Sequence, residues 1–108
     1  ALKAKATRHA EFVASATAKS GLLRRFRSAT FEKFVATTKP QRHAVTTSRD
    51  FAAAAQPGDW ATLLLIGPPG TGKTHLAAAM VLDVIQRGQR ARYTTFRDLI
   101  RALRATWR

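Results

Sequence analysis

The chain has no cysteine among its 108 residues, which excludes disulfides, thiol catalysis and thiolate zinc clusters. A reducing compartment is compatible with that composition. Acids are scarce as well, six Asp and Glu against nineteen Lys and Arg. They are Glu11, Glu32, Asp50, Asp59, Asp83 and Asp98. Asp83 falls mid-helix among apolar residues and Asp98 suits a helix cap, so neither is expected to act as a general base, and no catalytic residue is assigned. His9 and His43 have no Cys, Asp or Glu at ligand spacing, which argues against a zinc-type site. No apolar run approaches the roughly 20 residues of a membrane span, so no membrane partner is expected. Internal repeats and long low-complexity tracts are also lacking.

What is present is positive charge. The formal net charge is +13, extreme for a chain this short, and it implies an acidic partner. Residues 1–49 carry eleven cations and two anions, and residues 50–108 carry eight and four. Most of the excess therefore precedes residue 50. Nucleic acid is the natural counterpart of such a segment, and a solvated, poorly ordered tail is the alternative. Ala1 to Lys19 offers only Leu2, Phe12 and Val13 as large apolar residues, so a weak helix or disorder is expected there.

The chemistry is concentrated in Gly67-Pro68-Pro69-Gly70-Thr71-Gly72-Lys73-Thr74, which fits the phosphate-loop pattern G-x-x-x-x-G-K-[ST] at every defined position. A triphosphate must be wrapped by backbone N–H groups, and a side chain at Gly70 or Gly72 would obstruct them. Lys73 offers an ammonium to the β- and γ-phosphates, Thr74 a hydroxyl to Mg²⁺, and the helix beginning here points its positive end at the anion. ATP and Mg²⁺ are thus the expected cofactors. His75 follows in the first helical turn, where it either lies near phosphate or packs locally.

The flanks agree with the motif. Ala61 to Ile66 is a short apolar run after the turn-forming Gln56-Pro57-Gly58-Asp59, and it suits a strand buried on both faces. Leu76, Ala79, Met80 and Val84, with Ala77, Val81 and Ile85 on an adjoining row, recur at helical spacing until Arg87-Gly88 closes the helix. Arg90 to Thr94 alternates like a second strand. Thr95 then stands three residues before Asp98, the spacing of a capping box, and Phe96, Leu99, Ile100 and Leu103 follow on one helical face. The order strand, phosphate loop, helix, strand, helix predicts an α/β domain with a parallel sheet. Arg97, Arg101, Arg104 and Arg108 share another face of the last helix. That stripe either tracks a single-strand backbone or keeps its charges in water.

The run from Leu63 to Trp107 resembles the start of the ATPase domain of bacterial DnaC-like replicative helicase loaders. Ser20-Gly21-Leu22, Arg25-Phe26-Arg27 and Thr30-Phe31-Glu32-Lys33-Phe34 look like the segment that leads into that domain, and Gly72 to Ala77 is similar to the form shared by DnaC, the transposition helper IstB and the initiator DnaA. Thr94-Thr95, Asp98-Leu99 and Leu103-Arg104-Ala105-Thr106-Trp107 favour DnaC. The resemblance implies a partial AAA+ P-loop domain that binds ATP, with a replicative DNA helicase, single-stranded DNA and other AAA+ subunits as partners and the cytoplasm as location. It also implies that the segment Phe31 to Phe34 borders the adenine pocket. An IstB-like role in transposition and a non-hydrolysing binding role stay open. The family's acidic strand motif and arginine finger match nothing in this sequence, so ATP binding without turnover is expected of this chain alone. Length points the same way, since such modules need roughly twice as many residues, and an amino-terminal piece is expected. The expected divisions are a basic segment over 1–28, a leading helix and linker over 29–59, and the first, incomplete part of the nucleotide-binding domain over 60–108.

Overall fold

The computed structural model describes residues 2–58, 62–63, 65–66 and 72–107. Among the described residues there are four α-helices, α1 (Leu2–Lys19), α2 (Lys39–Ala54), α3 (Lys73–Gln86) and α4 (Phe96–Thr106), and one short 3₁₀ turn, Arg24–Phe26.

Each helix start has a local cause where the sequence supplies one. Thr38 caps α2 by accepting from the Gln41 N–H at 3.2 Å, while the Gln41 side chain accepts from the Thr38 N–H at 3.1 Å. Pro40 in the first turn costs nothing there, since its missing N–H would have had no helical partner. Thr95 caps α4 by accepting from the Asp98 N–H at 3.1 Å. At the other end of α3 the chain leaves through Arg87 and Gly88, whose φ of 87° is the left-handed turn that closes many helices.

Helix α3 is the centre of the molecule. Leu76, Ala78, Ala79, Met80, Val81, Val84 and Ile85 are all buried, and a helix apolar on so many sides must be covered from more than one direction. On one side Ala78, Val81 and Ile85 pack with Ala16 of α1 and with Leu22 and Ala29, with Phe12, Val13, Phe26 and Tyr93 closing the margin. On the other, Leu76, Ala79, Met80 and Val84 pack with Phe31 and with Ala52 of α2, supported by Val45, Phe51, Leu63 and Leu65. The α1 segment is helical because its half-buried Phe12 and Val13 and its buried Ala16 have α3 to pack against; tertiary contact outweighs its weak intrinsic pattern.

The expected parallel sheet is not formed. Among the described residues there is no strand, and both segments predicted as strands are irregular. Ala61 and Leu64 of the first lie outside the described residues. Several apolar side chains of these segments pack partly buried against the core, Leu63 and Leu65 on one side of α3, Tyr93 on the other, and Ala91 on both, whereas Ile66 is 84 % exposed. Among the described residues their backbones form no ladder: the Tyr93 N–H donates to the Ser20 carbonyl at 2.7 Å, a bond to a helix-end turn. The apolar run and the alternation therefore reported partial burial against a helix, whereas a strand also needs a neighbour of its own kind.

That bond depends on Gly21. Its φ is +84°, and an added Cβ would stand 2.6 Å from the Tyr93 carbonyl oxygen. Gly21→Ala is expected to combine the left-handed penalty of about 1–2 kcal/mol with loss of the Ser20–Tyr93 bond, and thermal denaturation should show a midpoint lowered by more than about 4 °C. Ser48, fully buried on α2, gives the opposite expectation, because its hydroxyl has no hydrogen-bond partner among the described residues. Ser48→Ala removes that stranded group and should raise stability by about 1 kcal/mol in urea denaturation; a fall would show that the hydroxyl is satisfied.

Candidate functional site

The described part of the phosphate-loop pattern begins at Gly72, the N-cap of α3. Gly67, Pro68, Pro69, Gly70 and Thr71 lie outside the described residues. Gly72 has φ 87° and ψ 15°, a left-handed conformation that glycine adopts without steric cost. No side chain caps the helix at this position. The first N–H groups of α3 lack partners within the helix, and together with the axial dipole they favour an anion beyond its end.

Lys73, Thr74 and His75 occupy the first turn of α3, and all three are half-buried. Packing fixes that turn: Leu76, directly after them, is buried in the core, and its N–H donates to the Gly72 carbonyl at 3.0 Å. An ammonium, a hydroxyl and the first backbone amides of α3 thus share one end of the helix. This donor set fits a nucleoside triphosphate with Mg²⁺, with Lys73 pairing with phosphate oxygens and the Thr74 hydroxyl available to the metal. Among the described residues no group of three or more His, Cys, Asp or Glu could hold a metal by itself, so a cation here would take most of its ligands from phosphate and water.

His75 turns toward the segment before α2. Its Nε2 lies 2.8 Å from the Thr30 carbonyl oxygen, and its ring sits 5.7 Å from that of Phe34 at an interplanar angle of 55°. Phe34 in turn covers Gly72: a Cβ on that glycine would fall 3.0 Å from the Phe34 Cζ and closer still to Cε2. Residues 30–34 hold their shape through a turn in which the Phe34 N–H donates to the Phe31 carbonyl and the Lys33 N–H to the Thr30 hydroxyl, each at 3.2 Å. The Phe34–Gly72 contact joins residues 38 apart, which no local spacing rule reaches. The phenylalanines of this segment pack as core side chains do, Phe31 buried and Phe34 half-buried.

Asp83 forms an i,i+4 ion pair with Arg87 at 3.3 Å on α3. Arg97, Arg101 and Arg104 of α4 are exposed, and Arg108 lies outside the described residues. The apolar side of α4 is also uncovered, with Phe96 62 %, Leu99 42 %, Leu103 40 % and Trp107 79 % exposed. Among the described residues α4 packs against no other helix. No helix is long and apolar enough to cross a membrane among the described residues.

A phosphate-loop sequence leading into the buried helix of a small basic chain marks a nucleotide-binding protein. The family described as IstB-like ATP binding protein matches residues 3–108; the chain belongs to that family. It is also 30% identical over 90 residues to the replicative helicase loader DnaC of Escherichia coli K12, a match covering 83% of this chain and 36% of that protein. Over 48 residues it is 48% identical to an insertion sequence ATP-binding protein of Sinorhizobium fredii, covering 44% of this chain and 16% of that one. A similar protein of Geobacillus stearothermophilus is 45% identical over 42 residues, covering 39% and 17%. The chain spans about a third of the length of DnaC. No solved structure matches it significantly.

Gly72→Ala tests the Phe34–Gly72 contact. The substitution must displace Phe34 and strain a residue at φ 87°, so thermal stability should drop by about 1–2 kcal/mol or more. An unchanged melting curve would place Phe34 elsewhere.

Proposed function

We propose that this chain binds ATP with Mg²⁺ through residues 67–74 and acts in a DnaC-like loader that places a replicative DNA helicase on single-stranded DNA in the cytoplasm. The breadth of the similarity to DnaC carries this reading. It extends over 90 residues, more than residues 60–108 can supply, so it includes part of the basic region before the nucleotide-binding part.

In this reading Lys73 neutralises the β- and γ-phosphates, Thr74 offers its hydroxyl to Mg²⁺, and the glycines let the backbone approach the anion. Bound ATP with its metal supplies the charge and the hydrolysable bond; this chain's residues bind and orient it. Arg97, Arg101, Arg104 and Arg108 form the surface for the nucleic-acid backbone, and other AAA+ subunits complete the assembly. A helper role in DNA transposition is the second reading. It is favoured by the family match and by the higher identity to insertion sequence proteins over shorter stretches.

Lys73→Ala is expected to weaken ATP binding at least tenfold, because charge-assisted hydrogen bonds of about 1.5–3 kcal/mol are lost. Calorimetric titration of the two proteins gives the comparison, and equal affinities would overturn the ATP site. For the nucleic-acid surface, replacing Arg97, Arg101 and Arg104 together by alanine should reduce the slope of log affinity against log salt by about 2 for single-stranded DNA. A slope that stays the same would return the stripe to the role of a solvated face. Capture of a replicative helicase rather than a transposase by the ATP-bound chain separates the two readings.

A further inference from the structure

We infer that His75 is a positioning residue of the ATP site, one that acts on Gly72 and the amino end of α3 through Thr30 and Phe34 rather than by touching phosphate. The inference rests on the ATP-binding reading and deepens it. A carbonyl oxygen only accepts, so the 2.8 Å contact with Thr30 requires the Nε2 of His75 to carry the proton and donate it. This bond joins the third residue of α3 to a segment 45 positions earlier. His75 also lies beside the Phe34 ring, and that ring rests on Gly72, the loop's last glycine.

The three contacts form a closed circuit. Gly72 leads through Lys73 and Thr74 to His75, His75 binds Thr30, and the turn over residues 30–34 returns Phe34 to Gly72. A glycine at φ 87° has more conformational freedom than any other residue could have there, so Gly72 and the first turn of α3 gain from a side chain seated against them. Phe34 is that side chain. His75 keeps it seated by anchoring the start of its turn. With its Nε2 committed to the Thr30 carbonyl, the imidazole faces the segment before α2. Its effect on the ligand is therefore preorganisation, which raises affinity by cutting the ordering cost of binding.

The test uses the full chain and two ligands, MgATP and inorganic tripolyphosphate, titrated against wild type, His75→Phe and His75→Gln. Phenylalanine keeps a ring beside Phe34 but has no donor; glutamine keeps an N–H donor near the position of Nε2. His75→Phe should bind both ligands roughly three- to tenfold more weakly, and His75→Gln should stay within about twofold of wild type. Phe34→Leu, which leaves the His75 donor in place, should reproduce the loss and keeps the test decisive if His75→Phe fails to fold. Wild-type affinity in His75→Phe, or a loss confined to ATP and absent for tripolyphosphate, would overturn the inference while leaving the ATP reading intact. An equal loss in His75→Gln and His75→Phe would also overturn it. If the wild-type chain binds neither ligand, the ATP reading itself falls.

Discussion

Helix α3 has almost no side to give to water, and that fact organises everything around it. Seven of its residues are buried, so the helix cannot stand until α1 covers one flank and α2 the other. Each of the two apolar clusters is therefore a junction with α3. Functionally the consequence lies at the helix's amino end. Lys73 and Thr74 ride on the most constrained element of the molecule, and the ATP-binding role proposed for them would gain from such support.

Sequence reasoning located α3 almost to the residue. Its apolar rows begin after the phosphate loop and end at Arg87-Gly88, and the helix runs Lys73–Gln86 with Gly88 at φ 87°. The cap at Thr95 was equally readable, because Thr95 and Asp98 carry their signal within four residues. Helix α2 carries a similar signal in Thr38, Pro40 and Gln41, inside the stretch 29–59 where a leading helix was expected without an assigned start. The strands were misread for a different reason. Leu63, Leu65, Ala91 and Tyr93 are apolar and partly buried against the two clusters, but pairing is a relation between two segments, and an apolar run or an alternation in one says nothing about the other.

The proposed site rests on residue types that the sequence displays and on packing that it does not. Gly72, Lys73 and Thr74 announce a phosphate-binding end because their types and order are rarely needed for anything else. That Phe34 covers Gly72, or that His75 reaches Thr30, could not be read from spacing, since the partners are brought together by the packing of α2 on α3. Helix α4 shows the reverse situation. Its amphipathic pattern was plain in the sequence, yet the structure leaves both its arginines and its apolar side exposed.

The Tyr93–Ser20 hydrogen bond has a kinetic meaning. It joins backbone groups about seventy residues apart, and closing a loop of that length costs a few kcal/mol of chain entropy before any contact rewards it. The bond also needs Gly88 to have turned the chain back along α3 and α1 to have docked beneath it. The packing of α2 on α3 joins elements much closer in the chain and needs neither event. Assembly therefore has a natural order, α2 with α3 first, α1 and residues 90–94 last. The segment bearing the early share of the basic charge is then the final piece to settle, while the end of α3 that carries Lys73 belongs to the first.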